Sequence, residues 1–356
     1  MTLKKAEQLA LSLRERFESY GYRPFKMSKF EEYDFYIRNK ESLTHDGVIT
    51  FTDTTGKLMA LKPDVTLSII KQVEADGGAQ KVYYNENVYR VSPDENCFKE
   101  IPQMGLECMG DIDNACIYEV LRLALDTLKA VGGQTVLDLS HLGIIEELLD
   151  GVPAALTRRL CGLLSQKNAH ELRAEAVKNG LSTELTETLC ALTALYGTPD
   201  RVLPQLKALL PDSKALKELE QLVTLLNAPS MIRIDPSVMD DMHYYNGFVF
   251  KGFVWGVPEQ ILSGGQYDKL MRRMGHKGGA IGFALYPDRL ERLEEQTAVI
   301  DADVLLLYDE TADPAELQRA AAELRKEGSV MLQRRRPKEM NFGKVLCFKN
   351  GEVQQR

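Results

Sequence analysis

The sequence predicts an α+β fold: an antiparallel sheet flanked by helices, interrupted by a helical insert and followed by a small α/β C-terminal domain. Three observations carry the prediction. Alternating apolar stretches, "KVYYNENVYRVSP" early and "FVFKGFVWG" late, read as strands of one sheet. Between them, from about Ile144 to Asn227, leucine and alanine dominate and apolar residues recur at helical spacing. The tail then alternates strand and helix patterns within a short segment. The division that follows is 1–141 and 230–297 for the two parts of the sheet core, 142–229 for the insert and 298–356 for the last domain.

Leu9, Leu13, Phe17 and Tyr20 share one helical face, with Gly21 as a C-cap. "YRPFKMSKFEEYDFY" mixes strand and loop character. "VITFTDTTGKLMALKPDVTLSIIKQVEA" reads as a hairpin turning at Thr54-Thr55-Gly56 and running into a helix. "KVYYNENVYRVSP" and "FKEIPQMGLECMGD" are two strands joined by a polar loop. "CIYEVLRLALDTLKAVGG" is an amphipathic helix and "TVLDLSHLG" a strand. Inside the insert, Leu216, Leu219, Val223 and Leu226 keep helical spacing, and Thr198-Pro199 pairs an N-cap with a proline at the first helical position. Strand signals return at "MIRID", "FVFKGFVWG" and "EQILSGGQYDKL" and close with "GGAIGFALYPDRLERLEEQ". The tail reads strand, helix, strand and one more strand.

Composition narrows the function. With 356 residues, 44% hydrophobic and 27% charged, the chain is a soluble globular protein of about two domains. Arg14, Glu15 and Arg16 interrupt what would be a signal peptide's apolar core. No apolar run approaches the roughly 20 residues that a membrane helix needs. The six cysteines show no CxxC spacing, which suits reduced, buried thiols in a cytoplasmic protein. The five histidines are scattered, so neither zinc nor another cofactor is expected. A net charge of −8 argues against a protein that mainly binds nucleic acid, and the Arg334–Arg336 run reads as a solvated edge. There is no Ser/His/Asp triad, Walker loop or Rossmann fingerprint, and "HKGGAIGF" lacks the spacing of a nucleotide site.

Polar groups set among apolar strands are the candidates. Asp64 and Thr66 in "LKPDVT" stand at a strand-to-helix junction, where they either cap the helix or face a ligand. Arg90, at a strand end, suits a carboxylate or a solvated salt bridge. Gln103 and Glu107 are an even number of residues apart, so a regular strand points both to one face. Gly264-Gly265 would let a ligand approach the backbone. Tyr244 and Tyr245 look like a pocket wall, with Asp240 and Asp241 just before them. Together these groups suit an amino acid: acceptors for an ammonium, Arg90 for a carboxylate, and Glu107 with tyrosine hydroxyls for a polar side chain.

These residues resemble the catalytic core of histidyl-tRNA synthetases, a class II aminoacyl-tRNA synthetase fold, over residues 1–141 and 230–295. "LKPDVT" is similar to the family's LRPEGT-type segment, and "VYRVSP…IPQMGLECMG" resembles motif 2, with Arg90, Gln103 and Glu107 at matching positions. "MHYYNGFVF" and "LSGGQYDKL" resemble the two histidine-specific motifs, RGLDYY and GGRYD. "AIGFALYPDRL" resembles motif 3, with Arg289 at its arginine. The resemblance implies a histidine pocket made of Asp64, Thr66, Arg90, Gln103, Glu107, Tyr244, Tyr245, Gly264 and Gly265. The packing alternative has the two tyrosines filling core and Gln103 and Glu107 satisfying each other.

The departures all fall on ATP and tRNA. Asp240 stands where the synthetases carry an arginine for the reacting carboxylate and phosphate, and Arg233 lies too far upstream to replace it. An anion about 4 Å from a phosphate costs on the order of 4 kcal/mol at an effective dielectric near 20, roughly a thousandfold in rate. In "SPDENCFKE", Ser92 and Cys97 replace ATP-holding residues, and Tyr286 replaces a glycine that makes room for adenine. Ser28 stands at the motif 1 proline, and the C-terminal piece is short for an anticodon-binding domain. This pattern resembles the regulatory subunits of ATP phosphoribosyltransferase. That likeness implies a protein without catalysis of its own, needed by a short-form catalytic subunit in the first step of histidine biosynthesis. It also implies histidine as effector, a homodimer within a hetero-oligomer, and neither tRNA nor membrane as partner. A ligand of that kind regulates by preferring one of two assembly states. The alternatives are a histidine–tRNA ligase and a synthetase-like module that senses histidine or tRNA.

Overall fold

The computed structural model describes residues 5–39, 47–72, 78–92, 97–239, 244–294, 301–337 and 340–355. They form two compact units, Leu9–Arg289, and Leu290–Arg356 grouped with Met1–Gln8.

In the larger unit, α1 (Lys5–Ser19) buries Leu13 and Phe17 as their spacing predicts, and Gly21 leaves it at φ 81. After β1 (Arg23–Pro24) come β2 (Phe30–Glu32), α2 (Tyr33–Arg38), β3 (Thr50–Thr52) and β4 (Leu58–Leu61). β2, β4 and β3 form a small antiparallel sheet. Its β3–β4 turn lies where the sequence places it: Asp53 Oδ1 accepts from the backbone N–H of Thr55 and Lys57, and Gly56 takes φ 85. α3 (Thr66–Ile70) leads to the long antiparallel pair β5 (Gln80–Ser92) and β6 (Cys97–Gly110). α4 (Asn114–Val131) starts at Asp113, whose carboxylate accepts from the N–H groups of Ala115 and Cys116 at 3.0 Å each.

From β7 (Thr135–His141) the chain enters the leucine-rich stretch as α5 (Gly143–Leu148), α6 (Ala154–Ser165), α7 (Ala169–Lys178), α8 (Thr183–Ala194), α9 (Pro199–Leu209) and α10 (Lys214–Leu226). Thr198 and Pro199 open α9 as N-cap and first residue, as the sequence predicts. The chain returns to the sheet with β8 (Ile232–Ile234), β9 (Phe248–Val254), β10 (Leu262–Gln266), α11 (Asp268–Arg273), β11 (Gly279–Leu285) and α12 (Pro287–Glu294).

The main sheet runs β1-β5-β6-β11-β10-β9-β7-β8. Its interior is antiparallel as predicted, but both edges are parallel, β1 beside β5 and β8 beside β7. The correction has a simple cause: parallel neighbours need a long crossover, and α5–α10 are that crossover between β7 and β8. One face carries Leu106, Phe283, Gly264 and Phe250 in register and packs under α1, with Phe17 6.1 Å from the rings of both Tyr83 and Phe283. α4 buries Val120, Leu121, Ala124, Leu125 and Leu128 beside β11, β9 and β7, each leucine contributing roughly 1.5–3 kcal/mol. The opposite face of the sheet carries the candidate site.

In the smaller unit, β12 (Ala302–Tyr308), α13 (Pro314–Leu324), β13 (Val330–Gln333), β14 (Phe342–Lys349) and β15 (Glu352–Gln355) give a sheet ordered β13-β12-β14-β15. Leu306, Leu317, Ala321 and Phe348 are its core. The sequence reading has one strand too few here. Asn350 and Gly351, at φ 51 and 80, make the two-residue turn that pairs β15 with β14. Arg334 is exposed and pairs with Glu310, and Arg335 and Arg336 are exposed too, as a solvated edge requires.

Candidate functional site

A cavity of about 340 Å³ stands over β5, β6, β11 and β10. Strand periodicity builds its floor. Gln103 and Glu107 project from alternate positions of β6, Tyr84 comes from β5, Gly282 and Ala284 from β11, and Ser263 from β10. The small residues leave the space. A methyl at Gly282 would overlap Glu107 Oε2 and lie 2.5 Å from the Leu106 carbonyl oxygen. Asp64 and Thr66 at the start of α3, Tyr244 and Tyr245, and Tyr286 and Arg289 around α12 form the walls.

Glu107 is at the centre and only 2% exposed. Thr66 Oγ1 donates to its Oε1 at 2.9 Å, and Tyr267 OH donates to its Oε2 at 2.5 Å. Burial pushes its carboxyl up to about 8, against the pull of both hydroxyls, and the charge of Asp64 adds to the rise. Asp64 is raised too, chiefly by burial, with the Leu67 N–H and Arg90 opposing. Its Oδ1 accepts the Leu67 N–H at 2.9 Å, so the residue caps α3 and lines the cavity at once. Arg90 Nε donates to the Pro63 carbonyl at 2.9 Å, tying β5 to the loop before α3. Burial holds Tyr84, Tyr244 and Tyr267 well above the ordinary phenol range, so all three are neutral hydrogen-bonding groups. Tyr244 stacks edgewise on Tyr245 with centroids 4.6 Å apart.

Among the lining residues, Tyr286 and Arg289 are held by protein partners. Tyr286 OH is 2.9 Å from Ser263 Oγ, and the Arg289 guanidinium lies 4.2 Å above the Tyr286 ring. Arg289 also donates to the Gln260 carbonyl.

Of the residues singled out in the sequence, Asp64, Thr66, Arg90, Gln103, Glu107, Tyr244, Tyr245, Tyr286 and Arg289 all line this one cavity. Three expectations are corrected. Gly264 faces the other side of the sheet, where a side chain would meet Phe283 and Phe250. Gly265 lies under Tyr245, its own added methyl 2.7 Å from that ring, so the glycine pair admits protein packing rather than a ligand. Gln103 and Glu107 do not depend on each other, because Thr66 and Tyr267 satisfy Glu107. Arg90 lies two residues inside the end of β5 rather than at it. Asp240, Asp241 and the 93–96 loop are outside the described residues. Sequence reasoning missed Tyr84, Ser263, Tyr267 and Gly282. Counting alternate positions along β5, β10 and β11 finds Tyr84, Ser263 and Gly282, whereas Tyr267 lies beyond the end of β10 and carries no such signal.

Among the described residues, no helix is long and apolar enough to cross a membrane, and no group of three or more His, Cys, Asp or Glu could hold a metal ion.

Comparison with known proteins agrees with the motif reading. A family model described as histidyl-tRNA synthetase matches residues 1–290. An ATP phosphoribosyltransferase regulatory subunit of Oceanobacillus iheyensis is 29% identical over 327 residues, 86% of this chain and 78% of its own. The crystal structure of an ATP phosphoribosyltransferase regulatory subunit/histidyl-tRNA synthetase from Bacillus halodurans has a TM-score of 0.77 at 22% identity, covering 97% of this chain and 94% of that one. A chain of the ATP phosphoribosyl transferase complex from Thermotoga maritima has a TM-score of 0.64 at 18% identity, covering 80% and 97%. The family match and the likeness to the Bacillus halodurans structure establish the class II synthetase-like fold. The likeness to regulatory subunits drawn from the motifs is the one the curated relatives carry by name.

Proposed function

We propose that this chain, which belongs to the histidyl-tRNA synthetase family, is not a ligase but a regulatory subunit of ATP phosphoribosyltransferase. The observation that carries the reading is the asymmetry of its cavity. The half that suits an amino acid keeps Asp64, Arg90, Gln103, Glu107, Tyr244 and Tyr245. In the other half, Tyr286 is fastened to Ser263 and covered by Arg289, which leaves little room for a nucleotide base.

The ligand of the open half is histidine. Asp64 and Gln103 receive its ammonium, Arg90 its carboxylate, and Glu107 with the tyrosine hydroxyls reads the imidazole. The chain forms a homodimer that assembles with a short-form catalytic subunit in the cytoplasm and conveys histidine feedback to it. The core parts 1–141 and 230–297 hold the ligand, the insert 142–229 packs within the same compact unit as the sheet, and 298–356 is the C-terminal domain. Histidine regulates by binding one assembly state more tightly than the other.

Light scattering on a mixture of this protein and a short-form catalytic chain tests the assembly, run beside histidine-dependent ATP–pyrophosphate exchange. A mixed complex and no exchange are the predicted results. Exchange above background would return the chain to the ligases.

A further inference from the structure

The described residues border a second and larger cavity. It has a volume of about 530 Å³ and lies where α5, the turn after it and α6 meet Met239 and the first turn of α11. Small-molecule sites usually fall between about 300 and 1,000 Å³. Gly151, at φ 75, and Pro153, the N-cap of α6, turn the chain between the two helices. On the facing wall Lys269 pairs with Glu146, and its backbone N–H donates to Asn246 Oδ1 at 3.1 Å, which holds α11 in place. The remaining walls are of two kinds. Leu149, Val152 and Met239 are apolar, and Cys161 beside them is 8% exposed. Asp150 and Arg158 are charged, and neither side chain has a hydrogen-bond or ion-pair partner among the described residues. Met239 also packs on Leu142, Val238 and Val249, the cluster against which Tyr245 of the first cavity rests. One layer of side chains therefore separates the two cavities.

This pattern selects a ligand. A simple anion drawn to Arg158 would meet Asp150 and Glu146, and a simple cation drawn to Asp150 would meet Arg158 and Lys269. A ligand that carries both charges at one end satisfies Arg158 through a carboxylate and Asp150 through an ammonium. The rest of it must be apolar, because it lies against Leu149, Val152 and Met239. We propose that this cavity is a second ligand site, which takes an α-amino acid with an apolar side chain. The proposal does not need histidine in the first cavity.

The probes are L-leucine, L-valine and L-phenylalanine, added to protein that carries carbon-13 methionine methyls, with Met239→Leu identifying the Met239 signal. At least one of them should shift that signal and bind by calorimetry. Arg158→Gln and Asp150→Asn, both at exposed positions outside the first cavity, should each weaken its binding about tenfold. Glu107→Gln, in the first cavity, should leave it unchanged. The amide and the N-acetyl derivative of the tightest probe, each with one charge removed, should also bind about tenfold more weakly. No shift of the Met239 signal with any probe up to about 10 mM overturns the proposal. So does binding that Arg158→Gln leaves intact and Glu107→Gln abolishes, which would seat the probe in the first cavity. Derivatives that bind as tightly as the parent probe overturn it too. If the probe binds as expected and histidine does not bind at all, the second site stands and the histidine reading fails.

Discussion

Gly282→Ala tests whether the cavity floor is built as described. The added methyl would overlap Glu107 Oε2 and lie 2.5 Å from the Leu106 carbonyl oxygen. Glu107 could swing away, but the Leu106 oxygen belongs to the β6–β11 ladder and cannot. Overpacking of this kind costs about 1–3 kcal/mol. Displacing Glu107 also breaks its bonds to Thr66 and Tyr267, each worth about 1 kcal/mol, so the loss should be roughly 3–5 kcal/mol. Gly162→Ala is the control. It lies on the exposed side of α6, an added methyl meets nothing within 4 Å, and the change should stabilise by about 0.5–1 kcal/mol. Guanidinium denaturation of both variants supplies the two values. A Gly282→Ala loss under about 1 kcal/mol would show that β11 does not crowd Glu107, and the cavity geometry would be wrong.

Three more expectations concern other parts of the molecule. Asp113→Ala removes the acceptor for two N–H groups at the start of α4 and should cost about 0.5–2 kcal/mol by the same denaturation. Asp138, 8% exposed on β7, has its carboxyl raised to about 6 by burial and then by Asp235, above its unfolded value of 3.8. A raised carboxyl stabilises the fold most at low pH and loses that contribution as pH rises through about 6. Asp138→Asn should therefore flatten the stability profile between about pH 4 and 6 and raise stability at pH 8, on the order of 3 kcal/mol. Tyr286→Gly removes the ring under Arg289 and the bond to Ser263, enlarging the cavity. On the proposed regulatory role it should still show no ATP–pyrophosphate exchange, because the motif likeness aligns Asp240 with an arginine of the synthetases.

What was legible in the sequence followed from periodicity and order. Helical spacing in α1 and α10 marked faces that are buried, and the even separation of Gln103 and Glu107 put both on the cavity floor. Motif order brought residues as far apart as Asp64 and Arg289 to one cavity. What was not legible depended on partners across strands. Gly264 and Gly265 are adjacent in sequence, yet they point to opposite faces and make room for different aromatic rings. Tyr267 follows the glycine pair and reads as strand padding until β10 sits beside β11 and brings its hydroxyl to Glu107. Strand β8 was legible in "MIRID", but the parallel direction of the edges β1 and β8 was not, because strand direction leaves no mark in local periodicity. The Asn350-Gly351 turn carries a plain sequence signal, as do the alternate positions of Tyr84, Ser263 and Gly282.

The measurement that bears most directly on the regulatory role is phosphoribosyl-ATP formation from ATP and phosphoribosyl pyrophosphate. It compares a short-form catalytic chain alone, this protein alone, and the two mixed, each with and without histidine. Activity that requires both chains and falls as histidine is added is the predicted result. Full activity of the catalytic chain without this protein, or a mixture that stays silent, would contradict the account.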